Sequence, residues 1–156
     1  IEEIPDAISK AFHESDSIVL EAFLNGVEVT CGVYSTIEGL IALPLTEIVS
    51  ENEYFDYEAK YEGKSQEITP ARIDDELAEQ VKSLAKKVYT LLNLRSIARI
   101  DFIIVSNTPY VIEVNTTPGF STESIVPKML TEARITLREF WTSIFEFELL
   151  SHKSVK

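Results

Sequence analysis

The stretch "ARIDFIIVSNTPYVIEVN", Ala98 to Asn115, constrains the fold of this chain more than any other. "ARIDFIIV" and "PYVIEVN" alternate with period two and are separated by the polar turn Ser106-Asn107-Thr108, so they read as two strands of an antiparallel pair. Alternation places Arg99, Asp101 and Ile103 on one face of the first strand and Val111, Glu113 and Asn115 on one face of the second. Ile100, Phe102, Ile104, Ile112 and Val114 then bury the opposite face. If the connecting loop has an odd number of residues, Asp101 falls opposite Glu113. Two carboxylates about 4 Å apart repel by about 4 kcal/mol at an effective dielectric of about 20. A bound cation removes that penalty; Arg99 pairing the acids on a solvated strand face fits the same pattern.

Elsewhere the periodicities are mixed. Pro5 to Glu14 carries Ala7, Ile8 and Phe12 at helical spacing. "SIVLEAFL" and "VEVTCGVY" read as strands joined by Asn25-Gly26, a strong hairpin signal. That hairpin puts Glu21 and Glu28 on one face, where they suit either a ligand or solvent. From Val49 to Gln66 no period is sustained, and aromatic residues sit among charges, as in a functional loop. "DDELAEQVKSLAKKVYTLLN" is a helix with acids in its first turn and Leu77, Val81, Leu84, Ala85, Val88 and Leu92 on its apolar face. A further helix is expected near Ser121, after the Pro118-Gly119 turn. The last helix opens at Thr136 with Glu139 three residues on, a capping box, and presents Leu137, Phe140, Trp141, Ile144 and Phe145 to a core.

Oxygen-only donors, two carboxylates and the Asn115 amide, select a hard ion such as Mg²⁺ over zinc. The two histidines, His13 and His152, stand in no metal or triad spacing. Free N–H groups at the start of the helix after Gly119 attract anions, although a turn before a helix is also ordinary connection chemistry. Together these features outline a phosphoryl-transfer site without a Gly-rich phosphate loop. A formal charge of −12 over 156 residues excludes a nucleic-acid backbone partner. Cys31 lies in an apolar run and reads as a buried, inert thiol. With no apolar stretch of membrane-spanning length, no membrane partner and a cytoplasmic location are expected. The chain starts at Ile1 and reads as a segment of a longer protein.

"RID", the Glu of "EVNTTPG" twelve positions beyond that Asp, and "STES" resemble the C-terminal part of D-alanine–D-alanine ligases, members of the ATP-grasp superfamily. "EAFLNGVEVTCGVY" is similar to the family's adenine and ribose segment, and "YFDYEAKY" to its omega loop. The resemblance implies an α+β fold, an ATP-grasp C-terminal domain with a mainly antiparallel sheet packed with helices, within a larger three-domain enzyme. It divides the chain into 1–24, a remnant of the central ATP-grasp subdomain, and 25–156, with the omega loop at about 49–66. It implies ATP and D-alanine as substrates, two Mg²⁺ ions for which Mn²⁺ can substitute, a homodimeric full-length enzyme, and little or no activity for this segment alone.

Residue by residue, it implies that Glu21 meets the adenine amino group, the backbone of Ala22, Phe23 and Leu24 meets the ring, and Glu28 holds the ribose. Lys60 and Arg99 neutralise phosphates; Asp101, Glu113 and Asn115 bind the metal ions. The Gly119 N–H acts with Arg99 on the oxyanion, and Ser124 and Ile125 take the second substrate's carboxylate. Tyr61 closes the loop and favours D-alanine over D-lactate as second substrate. Another ATP-grasp carboxylate–amine ligase, or a nucleotide- or cation-binding module without catalysis, remains the alternative.

Overall fold

A computed structural model describes residues 3–50 and 65–153. The elements are α1 (Ile4–Glu14), β1 (Val27–Thr36), β2 (Gly39–Ala42), β3 (Thr46–Ser50), β4 (Ser65–Ile68), α2 (Asp75–Leu91), β5 (Ile97–Val105), β6 (Thr108–Asn115), α3 (Ile125–Glu132) and α4 (Leu137–Lys153). The strands form one sheet in the order β4-β3-β1-β5-β6, with β2 pairing the far end of β1. Every pairing is antiparallel, so the α+β expectation with a mainly antiparallel sheet holds.

Alternation sorts the central strands cleanly. On one face Val29, Cys31 and Val33 of β1 and Ala98, Ile100, Phe102 and Ile104 of β5 bury against Val81, Ala85 and Tyr89 of α2. On the other, Tyr34 and Leu43 pack under Val126, Met129 and Leu130 of α3 and Phe140 and Ile144 of α4. The capping box forms as expected: Glu139 Oε2 accepts from Thr136 N at 2.8 Å, and Thr136 Oγ1 accepts from Glu139 N at 3.2 Å. The apolar stripe of α4 is narrower than expected, because Leu137 is 51% and Phe145 59% exposed. Phe145 instead stacks on the outer side of Trp141 at 5.8 Å.

The hairpin expected at Asn25-Gly26 does not form. Residues 15–26 are in no strand, because both edges of β1 are already taken, by β5 on one side and by β2 and β3 on the other. Neither Asn25 nor Gly26 has the positive φ that a two-residue hairpin turn requires. Gly26 answers a different demand: a Cβ there would lie 2.2 Å from the carbonyl oxygen of Ile104. The hairpins lie elsewhere. Thr36 faces Gly39 across the β1–β2 turn, and Ser106 and Asn107, at φ 48° and 61°, close β5 onto β6. Strands β2, β3 and β4 lie where the sequence shows no strand period, and the helix expected near Ser121 starts at Ile125.

Candidate active site

The β5–β6 turn holds two residues, an even number, since Val105 pairs Thr108. A regular ladder from that turn would set Asp101 opposite Ile112. A bulge between Asp101 and Phe102 shifts the register by one residue, so that Phe102 faces Val111 whereas Asp101 faces Glu113 and Arg99 faces Asn115. The expected alignment of the acids is therefore present, reached through a bulge and not through an odd loop. Bulges re-aim side chains in this way. The same shift separates Val111 from the face of Glu113, and it leaves Ile112 51% exposed instead of buried.

Directly opposed residues share a face, so three rows cross the sheet on the side of α3. Thr46, Thr30, Asp101 and Glu113 form the middle row. Gly32, Arg99 and Asn115 form the row toward α3, and Glu67, Ile48, Glu28 and Ile103 the row beyond. Gly32 lets α3 approach, since a Cβ there would lie 3.0 Å from Leu43 Cδ1 and 3.3 Å from Met129 Sδ.

Asp101 is held from two directions. Arg99 grips it as a fork, Nε to Oδ1 at 2.9 Å and Nη2 to Oδ2 at 2.8 Å, and Thr30 Oγ1 donates to Oδ1 at 2.5 Å. The hydrogen bonds to Asp101 push the guanidinium pKa up; burial opposes this, and the charges of Asp101, Glu113 and Glu67 add to it. Arg99 and Asp101 thus form one hydrogen-bonded pair, with the charge of Glu113 also felt at the guanidinium. Among the described residues no three Asp, Glu, His or Cys side chains converge as a ready-made metal cage. The candidate metal donors on this face are nonetheless all oxygens, from Asp101, the exposed Glu113, and the Asn115 amide, whose Oδ1 accepts from Thr117 N at 3.0 Å. That donor chemistry suits a hard divalent cation.

The turn after β6 leads to Ser124, the residue preceding α3. Its Oγ does not cap the helix but accepts from Ser121 N at 3.1 Å. A Cβ on Gly119 would stand 2.9 Å from that Oγ, so a larger residue there would turn the serine side chain aside. Lys128, one turn into α3, reaches back to Glu67 on β4 at 3.1 Å.

The nucleotide candidates divide. Glu28 is half-buried on β1 and shares the face of Asp101. Glu21, Ala22 and Phe23 are exposed and Leu24 half-buried in the unpaired stretch before β1, so Glu21 and Glu28 do not share a hairpin face. Lys60, Tyr61 and most of the expected omega loop lie outside the described residues. Thr30, Glu67 and Lys128 carry no local sequence signal as site residues, beyond the place of the threonine in "VEVTCGVY", because cross-strand register and helix placement bring them in.

The fold, helices on both faces of a mainly antiparallel sheet, matches the ATP-grasp C-terminal region of solved ligases. The solved D-alanine–D-alanine ligase from Bacillus anthracis has this architecture, with a TM-score of 0.80 at 29% identity over 100% of this chain and 51% of that one. The structure of that ligase complexed with ATP matches at 0.79, again at 29% identity, over 100% and 50%. The family model for the D-ala D-ala ligase C-terminus matches residues 1–146, and the chain belongs to that family. The D-alanine–D-alanine ligase of Flavobacterium johnsoniae is 50% identical over 147 residues, which is 94% of this chain and 46% of that protein. The chain thus spans about half the length of the curated relatives it matches.

Proposed function

We propose that this chain is the ATP- and metal-binding C-terminal part of a ligase that joins two D-alanines for peptidoglycan synthesis. The observation that carries the reading is the alignment of Asp101 with Glu113, with Arg99 locked beside them, in a chain of this family. In the full enzyme the carboxylate of the first D-alanine attacks the terminal phosphorus of ATP, giving an acyl phosphate and ADP. The amine of the second then attacks the acyl carbon and releases phosphate.

Asp101, Glu113 and Asn115 would hold the divalent cations, which offset negative charge on the transferring phosphoryl group. Arg99 and Lys60 add fixed positive charge to the phosphates. The Gly119 N–H faces the developing oxyanion together with Arg99. Ser124, with Ile125, binds the second carboxylate at the start of α3, where helix N–H groups favour an anion. Glu21 and the backbone of Ala22 to Leu24 take the adenine, Glu28 the ribose, and Tyr61 helps to exclude water.

Phosphate release by the full-length protein with ATP and D-alanine is the test. D-alanine-dependent release that collapses in Glu113→Gln supports the reading. Release with another amino acid or acid, but not with D-alanine, would move the protein to a different ATP-grasp ligase. Nucleotide binding without any turnover would leave a binding module.

A further inference from the structure

Thr30 stands where packing alone is served better by valine. β1 is continuously buried from Val29 to Thr36, and Thr30 is 2% exposed. A hydroxyl buried there is unfavourable unless it is bonded. Its acceptor is Asp101 Oδ1 at 2.5 Å, with the Ile100 carbonyl a distant second at 3.4 Å. Because Thr30 and Asp101 are direct cross-strand partners on two paired strands, the sheet itself sets this bond.

The bond changes what Asp101 can offer. Oδ1 already receives Arg99 Nε, so with the Thr30 hydroxyl it carries two donors, while among the described residues Oδ2 carries only Arg99 Nη2. Each carboxylate oxygen has about two lone-pair sites; those of Oδ1 are filled and, among the described residues, one on Oδ2 is free. We propose that Thr30 is a positioning residue of the ligase site, its hydroxyl holding Asp101 so that Oδ2, and not Oδ1, faces the cation. The inference rests on the function proposed above, in which Asp101 is a metal ligand. One-oxygen attachment suits Mg²⁺, which demands near-octahedral geometry, whereas Ca²⁺ accepts a carboxylate through both oxygens. Thr30 therefore also favours the smaller ion.

The test uses the full-length protein and its Thr30→Val and Thr30→Ser variants. Binding of a nonhydrolysable ATP analogue is measured by calorimetry against Mg²⁺ and, separately, Ca²⁺ concentration. In Thr30→Val the Mg²⁺ concentration for half-maximal binding rises about 10-fold or more, in line with the loss of other groups that orient metal ligands, and the preference for Mg²⁺ over Ca²⁺ narrows. Thr30→Ser, which keeps the hydroxyl, stays within about threefold of the parent. A Thr30→Val protein with the parent's Mg²⁺ dependence overturns the proposal; so does a Thr30→Ser protein as impaired as Thr30→Val, because a variant that keeps the hydroxyl would then be no better than one that lacks it. If Thr30→Val fails to fold, Thr30→Ala set against Thr30→Ser supplies the same contrast. A parent protein that binds no nucleotide in Mg²⁺ would sink the ligase reading and this inference together, whereas a parent that binds beside indistinguishable variants would sink the role of Thr30 alone.

Discussion

Asp101→Asn sets two effects of opposite sign against each other. The amide keeps the shape of the side chain and can still accept the Thr30 hydroxyl, but its NH₂ then faces an Arg99 N–H and one arm of the fork is lost. Hydrogen bonds to charged groups contribute about 1.5–3 kcal/mol net, and the Arg99 and Asp101 side chains are only 21% and 15% exposed, so solvent screens the pair weakly. Against this, the substitution relieves repulsion between Asp101 and Glu113. Glu113 is exposed, and across a strand pair at about 5 Å in a water-like dielectric that relief stays below about 1 kcal/mol. The fork wins, with a net loss of about 1–2 kcal/mol.

The single tryptophan, Trp141, reports on this directly, because it packs on Phe120 and Phe140, each at 4.9 Å, in the core over β1. In urea unfolding followed by its fluorescence, a slope of about 1.5–2 kcal/mol/M turns that loss into a midpoint lowered by about 0.5–1 M. A double-mutant cycle with Arg99→Met should give a coupling of about 1–2 kcal/mol. Glu113→Gln leaves the midpoint unchanged without cation. Coupling near zero, or an Asp101→Asn protein more stable than its parent, would refute the claim that Arg99 and Asp101 form a preorganised unit.

Glu47 accepts a fork from Arg72, at 2.8 Å on each arm, and these hydrogen bonds hold its pKa below the ordinary carboxylate range; its stabilisation is present above about pH 4.3 and is lost as pH falls through the lowered folded value, so Glu47→Gln should flatten the acid limb of urea midpoint against pH. Gly32→Ala forces Leu43 or Met129 aside and should cost about 1–3 kcal/mol by overpacking, read as a lowered thermal midpoint. Burial pushes the Cys31 thiol up to about 12, so thiol reagents at neutral pH should modify it only as fast as the chain opens, and labelling should accelerate in step with urea. Hydrogen exchange should find the amides of β1 and β5 slowest and those of residues 17–25, which no strand pairs, among the fastest.

The legibility of this fold depends on how local its causes are. The β5 alternation, the helical stripe of α2 and the Thr136–Glu139 box are each decided within a few residues, and each was readable from the sequence. Asn25-Gly26 misled because a glycine needed for close approach to the Ile104 carbonyl carries the same letters as a hairpin turn. The strands β2, β3 and β4 are short, at four or five residues, and borrow their stability from β1, so no local period announces them. The site is a mixed case. Asp101 and Glu113 follow from parity once the register is known, but the bulge that sets the register is invisible in the sequence, and Thr30 joins the pair only because β1 happens to run beside β5.

The charged face is stiffest where the sheet is most enclosed. Asp101 sits on β5, hydrogen-bonded to neighbours on both sides, and is held by side chains from its own strand and from β1. Glu113 sits on the outermost strand, one residue beyond a bulge, and is exposed. A ligand carboxylate that cannot move fixes where charge is compensated, while one at a sheet edge can adjust as a phosphoryl group is transferred. Preorganisation lowers the reorganisation needed during reaction only for groups held before substrate arrives. In the proposed site the Arg99–Asp101–Thr30 unit would therefore provide the fixed reference, and Glu113 on β6 the adjustable side. Substitutions in the first group should lower stability and activity together, and those in the second should lower activity alone.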